Sequence, residues 1–259
     1  RDHRHVTSLL HRIETTDIGV LVTPTLSFDE RGHQVNHMTY YCVGWSGNGE
    51  KPVDFYPTAE DFVGEGGNFE RPYAIVKNAE GVKAGTRIEG LEAVGGLHFS
   101  EVTLEPEEEC SYLIFTGITE DIQEIRNLSK TYTTREMVLE ELEKTKAYWQ
   151  EKVNVAYHTG DSDFNQFMHW VSFQPILRRI YGCSFLPHHD YGKGGRGWRD
   201  LWQDCLALLI MNPDGVRQML LDNFAGVRVD GSNATIIGSK QGEFVADRNH
   251  ITRVWMDHG

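Results

Sequence analysis

Four side chains stand close enough along the chain to do chemistry together. They are Arg199, Asp200, Gln203 and Asp204, in the run GWRDLWQDCLALLIM from Gly197 to Met211. Asp200 and Asp204 are four apart and share a face of a helix, as do Arg199 and Gln203. A carboxylate accepts hydrogen bonds from hydroxyls, and a guanidinium or amide donates to them. Such a set suits a ligand rich in hydroxyls. The two carboxylates do not read as a glycosidase pair. Such pairs flank the scissile bond, whereas neighbours on one helix approach it from the same side. The bland alternative is that Arg199 and the aspartates cap the helix and pair with one another. Glycines at 192, 194, 195 and 197 precede the run, and every residue from Cys205 to Met211 is apolar. That pattern predicts a helix buried on all sides, whose polar end emerges beside a glycine-rich loop as a pocket floor.

A second group lies near the end of the sequence. Asp247-Arg248-Asn249-His250 and Trp255-Met256-Asp257-His258 mix acids, a base, an amide and an aromatic ring. Sugar sites use that mixture, with polar groups for the hydroxyls and an aromatic face for the C–H side. A solvated loop is the competing account. His188-His189-Asp190 could suggest a metal, but adjacent histidines lack the spacing that puts two ligands on one helix face, and no metal is expected. No Ser or Thr closes the 192–197 glycine run as a phosphate loop, no GxGxxG opens a βαβ unit, and there is no GxSxG.

The elements that must hold these residues change character near Thr133. Residues 1–130 read as short strands between turns, which suggests an antiparallel β-sandwich. Gly19–Phe28 and Met38–Trp45 are two of the strands, and Glu89–Ile118 reads as two more around Pro106–Glu109. Residues 56–73, with EDFVGEGGNFERPY, read as a long loop that could take a ligand. Thr133 and Glu136 form a capping box for a helix to about Val153. Its stripe of Val138, Leu142, Trp149 and Val153 is expected to pack between domains. A second, largely buried helix runs from about Asp161 to Tyr181, with a kink expected at Pro175. The Gly197 run starts the third, and a fourth spans about Asp214–Ala225. Successive helices with short connections suggest an α/α arrangement.

Composition limits the partners. Of 259 residues, 25 are Lys or Arg and 38 are Asp or Glu, a net charge of −13. That balance argues against nucleic acid, which wants a basic face. No window is long and apolar enough for a membrane span. Cysteines at 42, 110, 183 and 205 have no CxxC spacing, so buried free thiols are expected.

The run GxGWRDLWQDCLALL resembles the G-[F/W]-R-D-x-x-Q-D motif of the inverting phosphorylases of glycoside hydrolase family 94. Its tryptophan form, with WMDHG downstream, is most similar to the 1,2-β-oligoglucan phosphorylases. The resemblance implies a β-sandwich domain at 1–130, a helical linker at 131–157 and the first part of an (α/α)6 barrel at 158–259. It implies inverting phosphorolysis of a β-glucoside to α-glucose 1-phosphate, with inorganic phosphate as co-substrate and no cofactor. The expected substrate-binding residues are Trp198, Arg199, Asp200, Gln203, Asp204, Asp247, Arg248, Asp257 and His258. Arg199 and Asp204 would bind hydroxyls of the transferred glucosyl unit, with Asp200 and Gln203 ordering them. The family's general acid sits in a D-W-[N/D]-D-like motif that these 259 residues lack. It is expected beyond Gly259, which leaves the chain alone inactive. Expected partners are an oligosaccharide and phosphate, with a homodimer left open and a cytoplasmic location. An inverting α/α-barrel hydrolase and a non-catalytic carbohydrate-binding module are the rival functions.

Overall fold

The computed structural model describes residues 6–29, 32–181, 196–234, 236–237 and 244–245. The expected site residues Asp247, Arg248, Asp257 and His258 lie outside the described residues, as do His188–Asp190 and Cys183. The chain divides into two compact units, one of residues 1–27 and 35–142, the other of 28–34 and 143–259.

The strands up to residue 119 are β1 (His11–Thr15), β2 (Gly19–Pro24), β3 (Leu26–Asp29), β4 (Gly32–Val35), β5 (Thr39–Ser46), β6 (Asp54–Thr58), β7 (Arg87–Glu89), β8 (Ala93–His98) and β9 (Tyr112–Thr119). Strands β3 and β4 pair with each other and reach into residues 28–34, and the others belong wholly to the first unit. Five of them form one antiparallel sheet in the order β7-β1-β2-β5-β9, and β6 pairs with β8. Side chains alternate across the sheet with period two, so each strand feeds two cores. Ile13 and Val20 face Phe55 of β6 and Leu97 of β8. Leu21, Val43, Trp45 and Leu113 point the other way, against Ile125. Val43 is fully buried there, a position that contributes about 1.5–3 kcal/mol for an aliphatic side chain. The layer of β6 and β8 comes very close at Gly95. A Cβ added there would stand 2.4 Å from the Cys42 Cβ, so a side chain would force the two layers apart.

Four helical pieces interrupt or follow the strands: α1 (Ala59–Val63), α2 (Tyr73–Lys77), α3 (Ile122–Thr131) and α4 (Arg135–Lys152). The expected loop at 56–73 therefore starts in a strand and contains a short helix. The all-β reading up to residue 130 is corrected by α3. Its N-cap is Asp121, whose carboxylate accepts from the Gln123 N–H at 2.8 Å. Ile125 then buries against the sheet. The strand expected before Pro106 stops at His98, and Val102 and Leu104 beyond it are exposed. The next cap sits one residue later than expected. Thr134, rather than Thr133, precedes α4 and accepts from the Met137 N–H. Val138 belongs to the first unit's core, Trp149 and Val153 to the second's, and Leu142 is exposed.

The second unit continues with α5 (Ser162–Tyr181), strand β10 (Arg196–Gly197), α6 (Trp198–Met211), α7 (Val216–Phe224) and the short strands β11 (Ile236–Ile237) and β12 (Phe244–Val245), which pair as β10-β11-β12. Helix α5 runs through Pro175 to Tyr181. The core is Val153, Ile176, Leu201, Cys205, Leu208, Met211 and Val216. Leu201, Cys205 and Leu208 recur at four and three residues, one stripe of α6. The expectation that α6 is buried on all sides is corrected, since Leu206 is 69% and Ile210 76% exposed. Phe164, Phe167 and Trp170 of α5 are exposed as well. Each helix buries one stripe, and the described helices do not close into a barrel. No helix among the described residues is long and apolar enough to cross a membrane.

The thiols at 42, 110 and 205 are free, but they differ in environment. Cys205 is buried and Cys110 exposed, so the expectation of buried thiols fails at Cys110. Burial pushes the Cys42 thiol above its ordinary range, and its Sγ donates to the Gly95 carbonyl at 3.3 Å. Because the thiolate is the reactive form, Cys110 is expected to alkylate well before Cys42 and Cys205 in the folded protein. Peptide mapping after a timed pulse of iodoacetamide would show the order, and equal labelling of Cys42 and Cys110 would contradict it.

Candidate functional site

The local folding of α5 and α6 makes a cavity of about 470 Å³ in the second unit. Helix α5 presents Val171, Ser172, Pro175 and Arg178 to it, and α6 presents Asp200, Gln203, Asp204, Ala207, Ile210 and Met211. Both sets follow the three- and four-residue spacing of one helix face. Val155 and Tyr157 close the wall. One half of the lining is aliphatic and the other carries two carboxylates, an amide, two hydroxyls and a guanidinium. This is the composition of a pocket that seats an apolar face and orients a ligand by a few polar groups.

Asp204 is the centre of the polar half. It is only 5% exposed, so its carboxylate must be paired. The pairing is with Arg178, whose Nε donates to Oδ1 at 2.9 Å and to Oδ2 at 2.8 Å, while Nη2 donates to Oδ1 at 2.5 Å. The planar fork of arginine matches a carboxylate in this way, which makes such pairs directional as well as strong. Arg199 pairs with Asp200 instead, at 3.3 Å, with both side chains part-exposed. An ion pair in that setting contributes little. The ion-pair partner of Asp204 is thus Arg178, a residue the sequence reading passed over.

The cavity brings together Asp200, Gln203 and Asp204 of the expected set, while Trp198 and Arg199 are not on its described lining. The Trp198 indole is buried and turned towards α7, where its Nε1 donates to the Asn223 carbonyl at 3.0 Å. The Asn223 amide donates back to the Trp198 carbonyl at 3.4 Å, which ties the first turn of α6 to α7. Ser172, Tyr157 and Arg178 are the polar wall residues that sequence reasoning missed. Arg178 did leave a signal: a charge in an otherwise apolar stretch of helix needs a partner, and Asp204 just before an apolar run needs one too. Sequence separation, 26 residues, hid the match.

A second hollow of about 520 Å³ lies in the first unit, lined by Tyr56, Tyr73, Glu60, Asp61, Glu65 and Glu80 among others. Its volume is slightly larger, but Glu60, Glu65 and Glu80 are exposed, and Lys83 already pairs with Glu80 at 3.1 Å. The Tyr56 hydroxyl donates to the Ala79 carbonyl. The α5–α6 cavity is the stronger candidate because it holds a charged pair largely withdrawn from water. Among the described residues there is no cluster of His, Cys, Asp and Glu that could hold a metal ion.

Comparison with known proteins supplies the remaining facts. Residues 3–135 match the description "Glycosyl hydrolase 94, supersandwich domain". The chain is also similar to the cyclic beta-(1,2)-glucan synthase NdvB of Rhizobium meliloti (strain 1021), with 27% identity over 203 residues. That match takes in 73% of this chain and 6% of the relative, so the chain spans a small fraction of the relative's length.

Proposed function

Because this chain belongs to the glycosyl hydrolase 94 family, we propose that it supplies the sandwich and a sugar-binding helix pair to an enzyme that cleaves β-glucosides by inverting phosphorolysis. The substrate class we favour is a β-1,2-linked gluco-oligosaccharide, a linkage that the name of the NdvB relative carries. The observation that carries the reading is the buried Asp204 carboxylate on the wall of a cavity it shares with Asp200 and Gln203. Asp204 would accept hydrogen bonds from hydroxyls of the glucosyl unit, charge-assisted and stronger than neutral ones. Gln203 and Asp200 would complete the polar edge, and Val171 and Pro175 would meet the apolar side of the ring. Trp198, Arg199, Asp257 and His258 stay among the proposed substrate-binding residues by the motif resemblance, and Asp247 and Arg248 by the mixture of residue types around them.

In the reaction, a general acid protonates the glycosidic oxygen as inorganic phosphate attacks the anomeric carbon from the opposite face. The glycosidic C–O bond breaks, a C–O bond to phosphate forms, and a β-glucoside gives α-glucose 1-phosphate. Phosphate replaces the base-activated water of an inverting hydrolase, so one carboxyl group is enough. That acid is not assigned to any residue of this sequence, which lacks the family's acid motif.

Two measurements test the reading. Titration calorimetry of the chain with the β-1,2-linked glucose disaccharide is expected to show saturable binding that Asp204→Asn removes. Incubation of the chain with the same sugar and phosphate is expected to release no glucose 1-phosphate. Absence of binding would end the sugar-site reading. Release of glucose 1-phosphate would place the acid within these residues, and release of glucose without phosphate would favour a hydrolase.

A further inference from the structure

The buried pair at the cavity wall poses a question that folding does not answer. Helices α5 and α6 already share an apolar core through Ile176, Leu201, Cys205 and Leu208. A buried ion pair adds little net stability over apolar residues of similar size, because both charges give up water. Yet Arg178 and Asp204 meet through three donor–acceptor contacts, and both side chains line the cavity. The aspartate is 7% exposed and the arginine 26%, measured on the side chains, so the arginine reaches from the solvent side to the carboxylate.

We propose that Arg178 is a positioning residue for sugar recognition: its guanidinium fork fixes the orientation in which the Asp204 carboxylate meets sugar hydroxyls in the α5–α6 cavity. The inference rests on reading that cavity as a glucosyl site. An aspartate side chain has two rotatable bonds and could turn its carboxylate through many angles. The coplanar Nε and Nη2 donors leave one plane in which both carboxylate oxygens are served. Hydroxyls of a pyranose ring are equally fixed in direction, so an acceptor held in advance saves the cost of ordering it on binding. A lysine in place of Arg178 would keep the charge but not the plane. The neighbouring Arg179 has different work, since it donates to the Asn212 and Asp214 carbonyls and is not on the cavity lining.

The test is calorimetric titration of the purified chain and its variants with the β-1,2-linked glucose disaccharide, with folding followed by circular dichroism. Arg178→Ala is expected to weaken binding by about tenfold or more, the scale of a lost charge-assisted bond. Arg178→Lys is expected to stay folded and lose about half of that on a logarithmic scale. Arg179→Met is expected to bind like the parent chain. Millimolar guanidinium chloride should restore binding to Arg178→Ala, whereas equal sodium chloride should not. A folded Arg178→Ala with parental affinity overturns the inference and leaves the sugar site standing, provided Asp204→Asn has lost binding. If Arg178→Ala does not fold, parental affinity in Arg178→Lys overturns it in the same way. A parent chain that binds no sugar overturns both the cavity reading and this inference.

Discussion

Asp204→Ala is expected to lose about 3–5 kcal/mol of folding stability, the cost of removing one partner from a buried charge pair. The loss would come from the Arg178 guanidinium, which keeps its charge beside the α5–α6 cavity after the carboxylate is gone. A neutral side chain at 204 thus does more harm than the pair does good. The double variant Arg178→Met with Asp204→Leu removes both charges and is expected to regain most of that stability. Sugar binding should follow a different pattern. In an enzyme that contains this chain, Asp204→Ala should cost ~2–4 kcal/mol of transition-state binding, roughly 30- to 1000-fold in kcat/KM. The double variant should recover none of it. Urea titration and sugar affinity measured on the same samples separate the two roles. A double variant that regains both stability and affinity would show that the pair serves only to join α5 to α6, and the donor-site proposal would be lost.

What could be read from the sequence follows the range of the physical signals. The strand-type run Gly19–Phe28 and the change of period near Thr133 are local, and both were legible. The split of the chain into a strand-rich part and a helical part came from them. Helix α3 was also locally written, since Asp121 and Glu124 have the spacing of a capping box. It was missed because its single buried residue, Ile125, leaves only a thin apolar stripe. The apolar run Cys205–Met211 misled in the opposite direction. Composition cannot tell a helix covered on all sides from one that buries only the Leu201–Cys205–Leu208 stripe and exposes Leu206 and Ile210. For the site, spacing on one helix identified Asp200, Gln203 and Asp204 as a group. Spacing is silent on pairing between helices, which is why Arg178, the partner of Asp204, was not singled out. Asp247, Arg248, Asp257 and His258 are known here only as sequence.

Trp45→Ala is expected to cost the first unit about 3–5 kcal/mol, the range for truncating a buried tryptophan. Trp45 is 3% exposed on β5 and performs three tasks at once. Its ring stacks on Phe115 of β9 with centroids 5.1 Å apart. Its side chain shares a core with Ile125, so it helps seat α3 on the sheet. Its Nε1 donates to the Tyr132 carbonyl at 2.9 Å, at the residue that ends α3. Trp45→Phe separates these tasks. Phenylalanine retains an aromatic ring for Phe115 and Ile125 but has no donor for Tyr132, so its loss should approach the ~1–3 kcal/mol of an unsatisfied carbonyl, plus the smaller ring's lost volume. Two compact units need not unfold in one step, so a single melting midpoint would mix them. Hydrogen exchange read at the amides of β5, β9 and α3 resolves the first unit by itself. Trp45→Ala should speed exchange in all three elements, and Trp45→Phe should act most strongly at the end of α3, around Tyr132. Unchanged exchange in α3 for both variants would mean that this helix is held by Ile125, Leu128 and Tyr132 and that the indole contributes nothing to its docking.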